Sequence, residues 1–195
     1  MTSYDVVLFL HIAVVLAAFF LAGALHGSEY LSAGSTTVAE LRRTTRPQKF
    51  GPLFALVVIA LLGLGMELVH LSKHTGDDFK LSNGFVWTAI ATLAALFLDG
   101  PIVMGRHFSK LDKAITAAPD GPVPAELRAL ACDPVNWAVG HANTLAVVGV
   151  VLNMATKPST GVCILDIAVG AVLGAALGAS LARRARGAAA ARDAA

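Results

Sequence analysis

Five stretches of about 20 mostly apolar residues, the length an α-helix needs to cross the hydrocarbon of a bilayer, constrain this chain more than any other feature. They run over residues 6–25, 50–71, 85–104, 135–154 and 162–182. In lipid, backbone N–H and C=O groups must be satisfied within the segment, so single apolar stretches of this length become helices. The expected fold is therefore all-α: a polytopic integral membrane protein with five transmembrane helices in a bundle. Only 14% of the 195 residues are charged, against about 25% in an average soluble domain. The short connections leave no room for a soluble domain.

The basic residues orient the bundle. With the N-terminus outside, Arg42, Arg43, Arg46 and Lys49, then Arg106, Lys110, Lys113 and Arg128, then Arg183, Arg184, Arg186 and Arg192 all fall inside, and only Lys73, Lys80 and Lys157 fall outside. That distribution satisfies the positive-inside rule in every loop and predicts N-out/C-in; the expected location is a plasma (inner) membrane. A net charge of +2 gives no reason to expect a nucleic-acid partner. The first stretch reads as a retained anchor, because Met1 to Asp5 carries no Lys or Arg and the run exceeds the roughly 7–15 residues of a signal core. Residues 183–195 are expected to form a basic, disordered cytoplasmic tail. Cys132 and Cys163 fall on opposite sides of the membrane, so neither a disulfide nor a cysteine metal site is expected.

Local signals punctuate the stretches. Thr37-x-x-Glu40 is a capping-box pattern ahead of a short headgroup helix. Gly51-Pro52 opens the second span and Asp133-Pro134 the fourth, where a proline costs little. Asp99-Gly100-Pro101 predicts a kink. Phe108, Leu111 and Ile115 have the spacing of a helix lying on the membrane surface, and Trp137 stands where an interfacial aromatic anchor belongs. Asp166, Gly170, Gly174 and Gly178 form one every-fourth-residue ridge. Gly170, Gly174 and Gly178 let another helix approach closely, either within the bundle or from a second copy or partner subunit.

The polar residues within the apolar stretches are the candidates for chemistry, since an ionisable side chain in a membrane span is costly unless it faces protein, water or a ligand. On the second span Gly63, Glu67, His70 and His74 share one stripe. His11 shares a stripe of the first span with Ala18 and Ala22. Counting about 1.5 Å per residue, His11, Glu67 and Asp166 lie roughly 6–8 Å below the outer surface. An inner layer holds His26, Asp99, His107 and His141.

Glu67-x-x-His70 has the spacing used in carboxylate metal sites of helical bundles, with His11 a further nitrogen ligand and Asp166 a further carboxylate. Two histidines on facing helices, His11 and His70, would equally ligate a haem iron, and His141 is the inner histidine well within a span. The expected site is thus haem b or a divalent metal ion in the outer half of the bundle, serving redox or cofactor handling. A proton-coupled transporter working through Glu67 and Asp166, and a non-catalytic accessory subunit docking through the glycine ridge, are the alternatives. P-loop, GxSxG, CxxC, HExxH and dinucleotide-glycine patterns are all missing from the sequence, which weighs against nucleotide-driven transport and hydrolase chemistry.

The segments LHIAVVLAAFFLAGALH and LRRTTRPQKFGPLFALVVIALLGLG resemble a loose group of small bacterial membrane proteins that includes the copper-resistance D-type proteins and the HemJ-type protoporphyrinogen oxidases. The resemblance covers about the first 70 residues and implies His11 as a haem or metal ligand. The tryptophan common before the glycine of the group's first span is absent here. So is the third-span lysine of the HemJ-type oxidases, and oxidase activity is not carried over. The chain looks most like uncharacterised members of the group.

Overall fold

The computed structural model describes residues 2–73 and 79–193 and is all-helical there apart from short connections and one isolated bridge between Thr37 and Pro122. The helices are α1 (Ser3–Gly34), α2 (Val38–Thr44), α3 (Gly51–Ser72), α4 (Gly84–Asp99), α5 (Arg106–Ala117), α6 (Ala125–Ala131), α7 (Pro134–Thr156) and α8 (Thr160–Asp193). A 3₁₀ turn (Arg46–Phe50) leads into α3, and a π-helical turn (Gly100–Gly105) joins α4 to α5. Five of these helical stretches are long and apolar enough to cross a membrane. Many of their large apolar side chains point outwards: Phe9, Phe20, Leu56, Val172 and Leu173 are all more than half exposed. An exterior this apolar suits contact with lipid, as in a multi-pass membrane protein.

The expected spans 50–71 and 135–154 match α3 and α7 to within two residues at each end. The expected kink at Asp99-Gly100-Pro101 is the π-helical turn, the local answer to a ring that removes a helix hydrogen bond and crowds the preceding turn. Of the stripe on the second span, His74 lies outside the described residues.

The tightest packing joins α7 and α8, and the glycine ridge makes it. A Cβ built on Gly170 would lie 3.0 Å from the Leu145 carbonyl carbon, one on Gly174 2.6 Å from that of His141, and one on Gly178 2.6 Å from that of Trp137. The ridge therefore runs along the backbone of α7 at four-residue steps. The second copy or partner subunit anticipated at Gly170, Gly174 and Gly178 has no access there, because a helix of the same chain fills the groove. Elsewhere α1 packs along α3, and α4 leans on α7 and α8.

The basic end of the molecule is built more solidly than expected. Leu111 and Ile115, anticipated on a lipid surface, are instead buried in a cluster with Val38, Leu41, Val123, Leu127 and Ala131, so α5 turns its apolar face to α2 and α6. The Val38 N–H donates to Gly121 O (2.9 Å) and the Val123 N–H to Thr36 O (3.0 Å), with Gly121 at φ +146°, a conformation open to glycine. Trp137, expected as an interfacial anchor, is fully buried, and its indole N–H donates to Ala131 O at 3.2 Å. The basic segment expected to be disordered continues α8 to Asp193. Ala182 and Ala189 are buried along it, while Arg186 donates to Ala129 O and Arg192 to Gly34 O, each at 3.1 Å. Those carbonyls lie at helix C-termini, which lack intrahelical donors, and this explains why an Ala/Arg stretch holds its fold.

Candidate functional site

The apolar run of the first span ends near Leu25, yet α1 stays helical for nine more residues. That extension places His26, Glu29 and Tyr30 on one face, three and four residues apart. On α7, Trp137, Gly140, His141 and Thr144 share the facing stripe. The carbonyls of Trp137 and His141 abut Gly178 and Gly174, so α8 fixes where this stripe stands.

Between these two faces lies a network of short hydrogen bonds. Glu29, only 3% exposed, accepts from Asn136 Nδ2 at 3.0 Å through one carboxylate oxygen and from His26 Nδ1 at 2.9 Å through the other. The Trp137 carbonyl accepts from His141 Nδ1 at 2.8 Å, which makes Nε2 of a neutral His141 the acceptor for the Tyr30 hydroxyl, also at 2.8 Å. The two imidazoles touch, with centroids 4.3 Å apart and planes tilted by 39°, and the Trp137 ring stacks beyond His141.

Proton counting at His26 gives the network two arrangements. His26 Nε2 lies 2.9 Å from Thr144 Oγ1, and that hydroxyl lies 3.1 Å from the Gly140 carbonyl. If Thr144 donates to Gly140, it must accept from His26, which is then an imidazolium paired with the Glu29 carboxylate. If Thr144 donates to His26 instead, the imidazole is neutral. The two states differ by one proton, on His26 Nε2, and by the rotation of the Thr144 hydroxyl.

Donor atoms of His26, Glu29 and His141 lie within 4.8 Å of one another, and this is the one such trio of metal-ligand type among the described residues. A four-coordinate ion with bonds of about 2.0–2.2 Å needs donors roughly 3.5 Å apart, so a contraction of about 1 Å closes the set. The outer bonds already resemble those that orient metal ligands: an imidazole N–H held by a carbonyl, and a carboxylate held by an amide. Haem fits less well. Imidazoles in direct contact leave no slot for a porphyrin between them, so His26 and His141 are not a bis-axial pair.

Of the residues singled out in the sequence, His26 and His141, both of the inner layer, belong to this site. His11 packs against α3, its Cε1 3.7 Å from a Cβ built on Gly65, and its Nδ1 is buried without a hydrogen-bond partner. Glu67 and His70 lie exposed on α3, and Asp166 is half-buried where α8 meets Gly149 of α7. Among the described residues these four form no ligand group with one another. Asp99 of the inner layer accepts from Asn143 at 2.7 Å. Glu29 escaped the sequence reading altogether. Its one signal is the His26-x-x-Glu29-Tyr30 spacing, just past the last apolar residue.

Next to the network lies a largely apolar cavity of about 570 Å³ between α1, α3, α4 and α7, with His26, Glu29, Asn143 and Thr144 in its wall. Gly140 keeps the His26 ring in place there: an added Cβ would stand 3.2 Å from His26 Cε1 and 3.3 Å from Met104 Cε. Gly140→Ala is expected to push the imidazole off Thr144 while leaving the fold intact. A changed His26 ring chemical shift, without loss of helical circular dichroism, checks this. Comparison with known protein families, curated proteins and solved structures finds no match, so function must be argued from the geometry of His26, Glu29 and His141.

Proposed function

We propose that this protein is a multi-pass membrane protein that binds a divalent transition-metal ion through His26, Glu29 and His141, for metal handling or redox work. The observation that supports this is the convergence of two imidazoles and one buried carboxylate from α1 and α7 within 4.8 Å. Two nitrogens and one carboxylate suit zinc, iron or copper better than magnesium or calcium, which favour all-oxygen shells. Under the positive-inside rule the site lies towards the cytoplasmic side of a plasma membrane. The cofactor reading thus moves from the outer layer of His11, Glu67, His70 and Asp166 to the inner one.

Titration of the detergent-purified protein with cobalt(II) tests the proposal. The expected result is one equivalent bound per chain with visible d–d absorption, displaced by zinc. His141→Ala is expected to weaken binding at least 100-fold, and His70→Ala to leave it unchanged. Equal cobalt binding by the wild type and His141→Ala would overturn the assignment.

A further inference from the structure

The cavity beside the trio is far larger than any ion needs, and its lining narrows what else it takes. We infer that it binds a neutral, lipid-soluble molecule with a flat ring head bearing carbonyl or hydroxyl groups, the quinone–quinol class, with the head against His26, Asn143 and Thr144. The volume is about 570 Å³, and the wall is mostly apolar, with Phe54, Val58, Leu96 and Val147 among it. Along α1 the lining runs from Ala18 to Glu29, about 16 Å of helix, enough for a ring and the start of an isoprenoid tail.

Charge selects the head. The lining contains no Lys or Arg, whereas the Glu29 carboxylate stands at its polar end. A phosphate head would meet a like charge and no cation, which opposes phospholipid as the occupant. A neutral head finds both a donor and acceptors instead: the Asn143 side-chain oxygen and its second amide proton, Asp99 taking only one, and a remaining lone pair of the Thr144 hydroxyl. Shape selects it further. Gly51, Gly100, Gly105 and Gly140 leave backbone bare in the wall, and the π-helical turn spans Gly100–Gly105. Bare backbone allows a planar ring to lie close, and π-bulges recur at functional sites. The cavity shares His26 and Glu29 with the proposed metal site, while the apolar part of its lining, which would hold the rest of the molecule, stands apart from that site.

The test uses the full chain in phosphatidylcholine nanodiscs equilibrated with decylubiquinone, with retained quinone measured after gel filtration against empty nanodiscs. About one quinone per chain is expected. Ala22→Phe and Val147→Phe, which fill the cavity from α1 and α7, should each lower retention at least tenfold at an unchanged thermal midpoint, while Val172→Ala, on the exposed face of α8, retains quinone as the wild type does. Having two variants guards against one that fails to fold. Retention equal to empty nanodiscs, retention indifferent to both filling variants, or displacement of the quinone by phosphatidylglycerol would each overturn the inference. Quinone binding without cobalt binding would sink the metal proposal alone, and the reverse result the quinone proposal alone.

Discussion

Gly174→Leu is expected to prevent α7 and α8 from docking, the largest effect on stability that a single substitution in this chain should have. A Cβ alone at this position would stand 2.6 Å from the His141 carbonyl carbon and 2.8 Å from the Ala142 Cα. Those atoms are backbone, so no rotamer change relieves the contact and the two helices must separate. Within a bilayer, separation is not offset by the hydrophobic effect, because lipid is as apolar as the lost neighbour and association rests on close contact. Overpacking a well-filled interior costs about 1–3 kcal/mol, and a clash of backbone with backbone belongs at or above the top of that range. Even Gly174→Ala should be felt. Gly63→Leu is the matched control, because nothing lies within 4 Å of a Cβ there, and it should change stability by less than about 0.5 kcal/mol. Denaturant titration in mixed micelles checks the pair; equal loss in both would mean that the glycine ridge does not hold α7.

This interface also shows how far the sequence could be read. The length of the apolar runs fixes where helices cross, since lipid leaves the backbone no other choice, and α3 and α7 match their runs closely for that reason. The ridge of Gly170, Gly174 and Gly178 is equally legible as a groove. Its occupant is not, because what fills the groove is the backbone of α7, and backbone writes no pattern into sequence. The same limit explains the outer layer. A stripe on one helix fixes which residues share a face, and depth fixes their level, but neither says which helix lies opposite. Glu67 and His70 share a face that stays exposed, while His11 turns its face to Gly65.

Glu29 was missed for a different reason. A search for apolar runs stops at Leu25, where the need for lipid-like side chains stops, whereas the helix itself continues until Gly34. His26 then reads as a residue with water for company, and Glu29 as part of a loop. In the structure that extension is covered by protein: Ser28 donates to Thr44 O at 2.7 Å, and Glu29 meets Asn136 from the far side of the fold. The burial of Trp137 and the helical tail from Arg183 follow from the same fact. The basic end is a packed layer, and polarity alone made it look like a surface.

Glu29 is where that layer is most sensitive. Glu29→Ala would leave two buried donors, Asn136 Nδ2 and His26 Nδ1, facing a void, and each unmet group costs about 1–3 kcal/mol. Breaking a buried ion pair by removing one partner costs about 3–5 kcal/mol, so a loss of that order is expected. Glu29→Gln should behave differently. Its carbonyl oxygen can accept from Asn136 while its amide donates to His26 Nδ1, provided His26 carries its proton on Nε2 and gives it to Thr144, which donates onward to Gly140. The two donors that faced Glu29 are then met by one tautomer change, and stability should fall by less than about 1 kcal/mol. Metal affinity should not be spared, since the amide lacks the charge of the carboxylate, and a tenfold or greater weakening of cobalt binding is expected in Glu29→Gln. Unfolding and cobalt titrations on the two variants separate the roles. A Gln variant as unstable as the Ala variant would contradict the proton bookkeeping at Thr144, and one that binds cobalt like the wild type would remove Glu29 from the ligand set.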